Sequence, residues 1–107
     1  TGNEVLAAVC QRAKATDVEA YFSIHPIGVY GHGPGAPVGV WNRQDQVPGR
    51  GEYPLVENTC YALELCICQQ IPEWDNQMLT LNLEETVVFS KGKLQFFAPR
   101  QTEFHLI

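Results

Sequence analysis

Apolar positions along the chain change their period twice, and each change marks an element. Val5, Leu6, Val9 and Ala13 recur at helical spacing, with Gln11, Arg12 and Lys14 on the opposite side. Ahead of them Thr1-Gly2-Asn3-Glu4 has the S/T-x-x-E form of a capping box, so a helix is predicted over 2–16, ending near Asp17. From Tyr21 to Tyr30 the residues become aromatic and β-branched (Tyr21, Phe22, Ile24, Ile27, Val29), which predicts extended chain. Between 31 and 54 glycines and prolines recur too densely for helix or unbroken strand. A structureless stretch of that length inside a small domain is usually functional.

Strict alternation then sets in. Over 60–69, Tyr61, Leu63, Leu65 and Ile67 line one face of a predicted strand, while Cys60, Ala62, Glu64, Cys66 and Cys68 line the other. Pro72-Glu73-Trp74-Asp75-Asn76 reads as a turn, followed by a second strand over 77–89. Ser90-Lys91-Gly92-Lys93 predicts a hairpin connection into a third strand over 94–97, and 102–107 alternates enough for a short closing strand. One helix followed by antiparallel strands reads as an α+β fold, with residues 1–107 forming a single unit.

Two carboxylates interrupt this pattern. Glu64 stands mid-strand on a face otherwise suited to a core, where an unpartnered carboxylate costs several kcal/mol. Glu84 follows Leu79, Leu81 and Leu83 on the opposite parity, beside Thr80 and Asn82. Carboxylates from neighbouring strands can share a divalent cation, which cancels their repulsion. They can equally mark a wetted strand edge, or a Glu64 satisfied by an Arg or by backbone. His25 and His32 lie among the glycines of Ser23-Ile24-His25-Pro26-Ile27-Gly28-Val29-Tyr30-Gly31-His32-Gly33, and imidazole beside carboxylate suits Mn, Co, Fe or Zn. His105, near the end of the chain, reads as structural.

Composition narrows the function classes. The chain is 45% apolar and 18% charged, which is enough for a core. Its net charge of −5, with no basic run, argues against a nucleic-acid or anionic-membrane surface. No apolar stretch approaches the roughly 20 residues that span a bilayer. Cys10, Cys60, Cys66 and Cys68 contain no C-x-x-C pair, so zinc-ribbon and thioredoxin readings lack their spacing. Cys60, Cys66 and Cys68 share parity and read as reduced, apolar residues, because a Cys66–Cys68 disulfide one pleat apart would be badly strained. The compartment stays open, with the cytoplasm favoured.

The order of these pieces resembles the C-terminal half of a pita-bread metallopeptidase domain, of the aminopeptidase P, Xaa-Pro dipeptidase and methionine aminopeptidase superfamily. The residues that carry the resemblance are Gly31-His32, then Val38-Gly39-Val40, then the segment from Leu55 to Leu65 containing Glu64, and finally Asn82-Leu83-Glu84-Glu85-Thr86-Val87-Val88-Phe89. The likeness implies a curved, mostly antiparallel sheet and hydrolysis of peptides at an N-terminal residue preceding proline. It implies a paired divalent metal centre (Mn, Co or Zn), with His32, Glu64 and Glu84 as ligands and His25 in a catalytic role.

Two positions depart from the family pattern. The ligand His of that pattern stands two residues before the Val38-Gly39-Val40 strand, at Ala36; Gly31-His32 matches only with an insertion of about four residues. The family's second His falls near Arg43, where there is none. Its other two carboxylates are aspartates of a preceding half-domain, and Asp17, Asp45 and Asp75 fit no such strand. A chain starting at Thr1 is therefore expected to be part of a larger protein, inactive by itself and weak or silent in metal binding. An apolar face of Tyr61, Leu63, Leu65, Leu79, Leu81 and Leu83 is expected to be bared and covered in a homodimer or by the missing half. The alternative is a non-catalytic pita-bread module that binds a peptide or protein partner.

Overall fold

Thr1 caps the helix α1 (Gly2–Ala13) as the sequence predicts: its hydroxyl accepts from the Glu4 amide at 3.2 Å, and the Glu4 carboxylate reaches back to Thr1. The computed structural model describes residues 1–16 and 18–107. The helix is shorter than the predicted 2–16, because the chain tightens into turns in which Ala15 and Thr16 donate to Arg12 and Ala13. The expected end near Asp17 lies outside the described residues. Leu6, fully buried, is the helix's anchor in the core.

The single extended stretch expected over 21–30 is three short strands, β1 (Glu19–Phe22), β2 (His25–Gly28) and β3 (Gly31–His32). The long alternating segments form β4 (Thr59–Ile71) and β5 (Gln77–Ser90), joined by a 3₁₀ turn over Pro72–Trp74 and left-handed Asp75 and Asn76. β1 and β2 keep one register along β4, from Glu19 opposite Cys68 to Pro26 opposite Tyr61, with Ser23 donating to Glu64 between them; Ile24 turns its backbone to the outer side, where it exchanges both bonds with Val38. The last strand is β6 (Lys93–Phe96). The sheet is open, six-stranded and antiparallel in every pairing, ordered β3-β2-β4-β5-β6, with β1 beside β2 along the same edge of β4. One N-terminal helix on a mostly antiparallel sheet makes the fold α+β.

Turn chemistry sets the β5–β6 hairpin. Lys91 and Gly92 both have positive φ, as a two-residue type I′ connection requires. The Glu57 carboxylate accepts from both of their amides, at 2.5 and 2.8 Å.

Chain after Phe96 departs from expectation: residues 102–107 form no closing strand and lie exposed. The β5–β6 ladder stops short of them, at a proline. Phe97 donates to the Thr86 carbonyl, the last bond of the ladder, and the next outward-facing partner in that register is Glu84 opposite Pro99, which has no N–H to give.

The glycine-rich segment 31–54 is irregular but contributes to the core. Ala36, Val38 and Val47 are buried beside Leu6, Tyr61, Ala62, Cys66 and Val87. Two side-chain amides tie it down. Asn3 exchanges bonds with the Val47 backbone at 2.8 and 3.3 Å, and Gln44 does the same for Phe22 at 2.9 and 2.8 Å. Gly39 has no substitute: its φ is +72°, and a Cβ there would stand 2.5 Å from the Phe22 carbonyl oxygen.

The apolar face expected to be bare is only partly so. Tyr61 is buried and Leu63, Leu65 and Leu81 are half-buried, whereas Leu79 and Leu83 are exposed at 37% and 40%.

Candidate functional site

The β4–β5 register puts Glu64 directly opposite Glu84. Directly opposed residues of an antiparallel pair share a face, so both carboxylates project from the same side of the sheet. Glu64 turns its backbone the other way, its carbonyl accepting from the Ser23 amide at 3.0 Å. The Glu64–Glu84 pair is therefore one that exchanges no backbone bond, the closer of the two antiparallel spacings, with Cα atoms about 4.5 Å apart.

His25 pairs with Ala62 on β2, one step along that face from Glu64. Its Nε2 lies 3.0 Å from Glu64 Oε1, and its Nδ1 lies 2.9 Å from the Pro26 carbonyl oxygen. His32, brought back by the β2–β3 turn, stacks on His25 with ring centroids 3.7 Å apart and planes 7° from parallel. All four residues singled out from the sequence thus meet on or beside one face. It is His25, rather than His32, whose ring nitrogen meets a carboxylate; no hydrogen bond or ion pair of His32 occurs among the described residues.

The hydrogen-bond inventory around His25 does not close by itself. A neutral imidazole carries one N–H, yet both nitrogens face oxygens that only accept, a carbonyl and a carboxylate. One further hydrogen, or a cation, between Nε2 and Oε1 satisfies both atoms. A ring whose other nitrogen donates to a backbone carbonyl is the usual arrangement of a metal-binding histidine. The 3.0 Å separation is that of a hydrogen bond, and it also equals the edge of an octahedral site with ligands about 2.1 Å from the ion. The pair fits a borderline divalent metal by donor type and spacing. No group of three or more His, Cys, Asp or Glu side chains poised to hold a metal occurs among the described residues.

A cavity of about 290 Å³ opens over the carboxylates, lined by Tyr21, Ser23, Trp41, Glu64, Asn82 and Glu84, with Cys66 beneath. The alternation of β4 gave no hint of Trp41 or Tyr21, whose ring centroids are 5.5 Å apart; Trp41 comes from the glycine-rich segment, held by the Gln44 bonds to Phe22 and Val40. Trp41 remains 59% exposed, a flat apolar surface beside an acidic pair.

Tyr21 donates to Glu19, and that hydrogen bond holds its phenol above the usual range. Burial pushes the Cys66 thiol up as well, with its contact to Cys68 at 3.8 Å adding to the effect. All four cysteines are free; Cys66 is buried and Cys10, Cys60 and Cys68 are half-buried. No basic side chain lines the cavity. No helix among the described residues is long and apolar enough to cross a membrane. No protein-family model, curated protein or solved structure matches this chain.

Proposed function

We propose that this chain is the carboxylate-bearing half of a pita-bread metallopeptidase site, related to the peptidases that release an N-terminal residue preceding proline. The observation that carries the reading is the unclosed hydrogen-bond inventory at His25, with Glu64 and Glu84 opposed across the strand pair beside it. In this reading His25 joins Glu64 and Glu84 as a ligand. His32 takes the adjoining place, its ring fixing His25 by stacking and offering a polar edge to substrate.

When bound, a divalent metal pair supplies an activated water and polarises the scissile carbonyl. The chain's own residues do the rest. The Pro26 carbonyl holds His25 with Nε2 toward Glu64. Trp41 and Tyr21, their rings tilted 41° to one another, offer an aromatic corner against which a proline ring packs.

Two carboxylates and one imidazole are too few donors for a paired centre. Asp45 and Asp75, the described aspartates, do not line the cavity, and Asp75 stands in the β4–β5 turn, beyond strand ends that lie seven residues, roughly 24 Å, from the Glu64–Glu84 pair. Catalysis thus needs aspartates from elsewhere, and metal binding by this chain alone is weak.

Paramagnetic broadening by Mn²⁺ tests the assignment, because it registers weak binding. Amide signals of His25, Glu64 and Glu84 are expected to broaden first, and Glu64→Gln to abolish the effect. Broadening centred elsewhere, or a tight complex that survives Glu64→Ala, would show that the ligands are wrong.

A further inference from the structure

Among the described residues, the outer edge of β5 has no backbone partner between Gln77 and Glu85. β6 covers only Val87 to Ser90, and the Phe97–Thr86 bond ends the ladder. Within β5 the odd residues turn their backbone groups to β4. The even ones, Met78, Thr80, Asn82 and Glu84, turn theirs outward, as the Phe97 bond to Thr86 demonstrates.

Exposed edges are normally blunted by lysine, proline, a bulge or a covering segment. Lysine, proline and a bulge are all lacking along this one, and the segment nearest to it, the chain after Phe97, pairs with it among the described residues only at its Glu85 end, through Arg100 at 3.9 Å. Gln77-Met78-Leu79-Thr80-Leu81-Asn82-Leu83 contains neither charge nor proline, and the β4 register runs through it without a bulge. The chain after Phe97 passes nearby without a backbone bond to it, leaving a cavity of about 610 Å³ between Leu81–Glu85 and Pro99–Phe104.

We propose that this edge pairs with the same edge of a second copy, antiparallel, about a two-fold axis through Leu81. That register alone satisfies all four outward residues: Met78 of each copy meets Glu84 of the other, and Thr80 meets Asn82. It also sorts the faces. Leu81 meets Leu81 on the axis and Leu79 meets Leu83, so the exposed leucines cover one another on the apolar side.

Charge does not oppose the seam, although each chain carries −5. The two Glu84 residues fall six positions apart along the pairing, roughly 20 Å. That is more than twice the screening length of about 8 Å in physiological salt. Sliding the register by two residues in the direction that brings them together shortens that spacing to roughly 14 Å and leaves Met78 unpaired. A seam of one short strand pair lies at the small end of interface sizes, so the dimer is expected to be weak. The pairing stands independently of any metal.

Sedimentation over roughly 1–300 µM is expected to show a monomer–dimer equilibrium. Thr80→Pro removes an N–H that makes no bond within the chain, so the fold tolerates it while dimerisation weakens about tenfold or more. A cysteine on the axis reads the register: Leu81→Cys is expected to give a disulfide-linked dimer under mild oxidation, since such facing residues lie about 4.5 Å apart at Cα. Leu79→Cys, which faces Leu83, should cross-link no more than the parent with its native cysteines. A parent that stays monomeric, a Thr80→Pro variant that dimerises normally, or cross-linking at Leu79 instead of Leu81 each overturns the proposal. Dimerisation only after residues 99–107 are removed would assign the edge to the chain's own tail and overturn it too.

Discussion

Glu84→Gln should make the metal-free protein more stable while removing its response to metal. Glu84 makes no side-chain hydrogen bond or ion pair among the described residues, so the substitution breaks no contact, and it keeps the shape of the side chain. What it removes is the repulsion from Glu64 across the strand pair. Two unit charges about 5 Å apart in a nearly aqueous medium repel by about 0.8 kcal/mol. Like-charged cross-strand pairs fall in the range of about 0.2–1 kcal/mol. His25 beside Glu64 offsets part of this, which leaves about 0.5 kcal/mol to recover. For a chain of 107 residues that corresponds to a Tm increase of about 2–4 °C.

Thermal unfolding by circular dichroism in low salt measures the gain, and 1 M salt, with a screening length of about 3 Å, should remove most of it. Excess Mn²⁺ should raise the Tm of the parent but not of the variant. A lower Tm for Glu84→Gln, or a gain untouched by salt, would refute the like-charge account of the pair.

Other substitutions probe the frame around the site. Leu6→Ala, at a position with no exposed surface, should cost about 2–5 kcal/mol in urea unfolding. Tyr61→Phe removes a buried hydroxyl that makes no hydrogen bond of normal geometry among the described residues, and should leave stability within about 1 kcal/mol of the parent or raise it. Cys66 should be the last of the four cysteines to be alkylated, as followed by mass spectrometry. Burial raises its thiol, so its reaction should accelerate only at higher pH than an ordinary thiol requires.

Local signals in the sequence translated well. The capping box needs only Thr1 and Glu4, and the β4 and β5 alternation needs only its own period. The glycine at Gly92 was enough to place the last hairpin. What failed depended on distant chain. The extended chain expected from Tyr21 runs along β4 in one register, but it ends at Gly28 in the turn to β3, and nothing local reveals that Ile24 bonds outward to Val38. The segment 31–54 was legible as irregular, but not as a supplier of Ala36, Val38 and Val47 to the core, since the amides of Asn3 and Gln44 that hold it act across 44 and 22 residues. The closing strand over 102–107 had suitable alternation and was defeated by Pro99, whose effect depends on which residue it would face. At the site, the residue types marked Glu64, Glu84, His25 and His32 as candidates, whereas Trp41 and Tyr21 became visible only once the fold had brought them together.

The β4–β5 ribbon also sets an order in time. Its strands are joined through residues 72–76 alone, so its ladder closes over a short loop and can zip on the microsecond scale of hairpins. His25 must come from 39 residues away, and the clasp between Asn3 and Val47 spans 44. The two glutamates therefore face one another before their imidazole arrives, and the earliest ordered species carries their repulsion uncompensated. Refolding should accelerate as salt is raised from low concentration, more for the parent than for Glu84→Gln. The acidic pair proposed to hold a cation in the finished protein is thus expected to act, while the chain is still folding, as a brake.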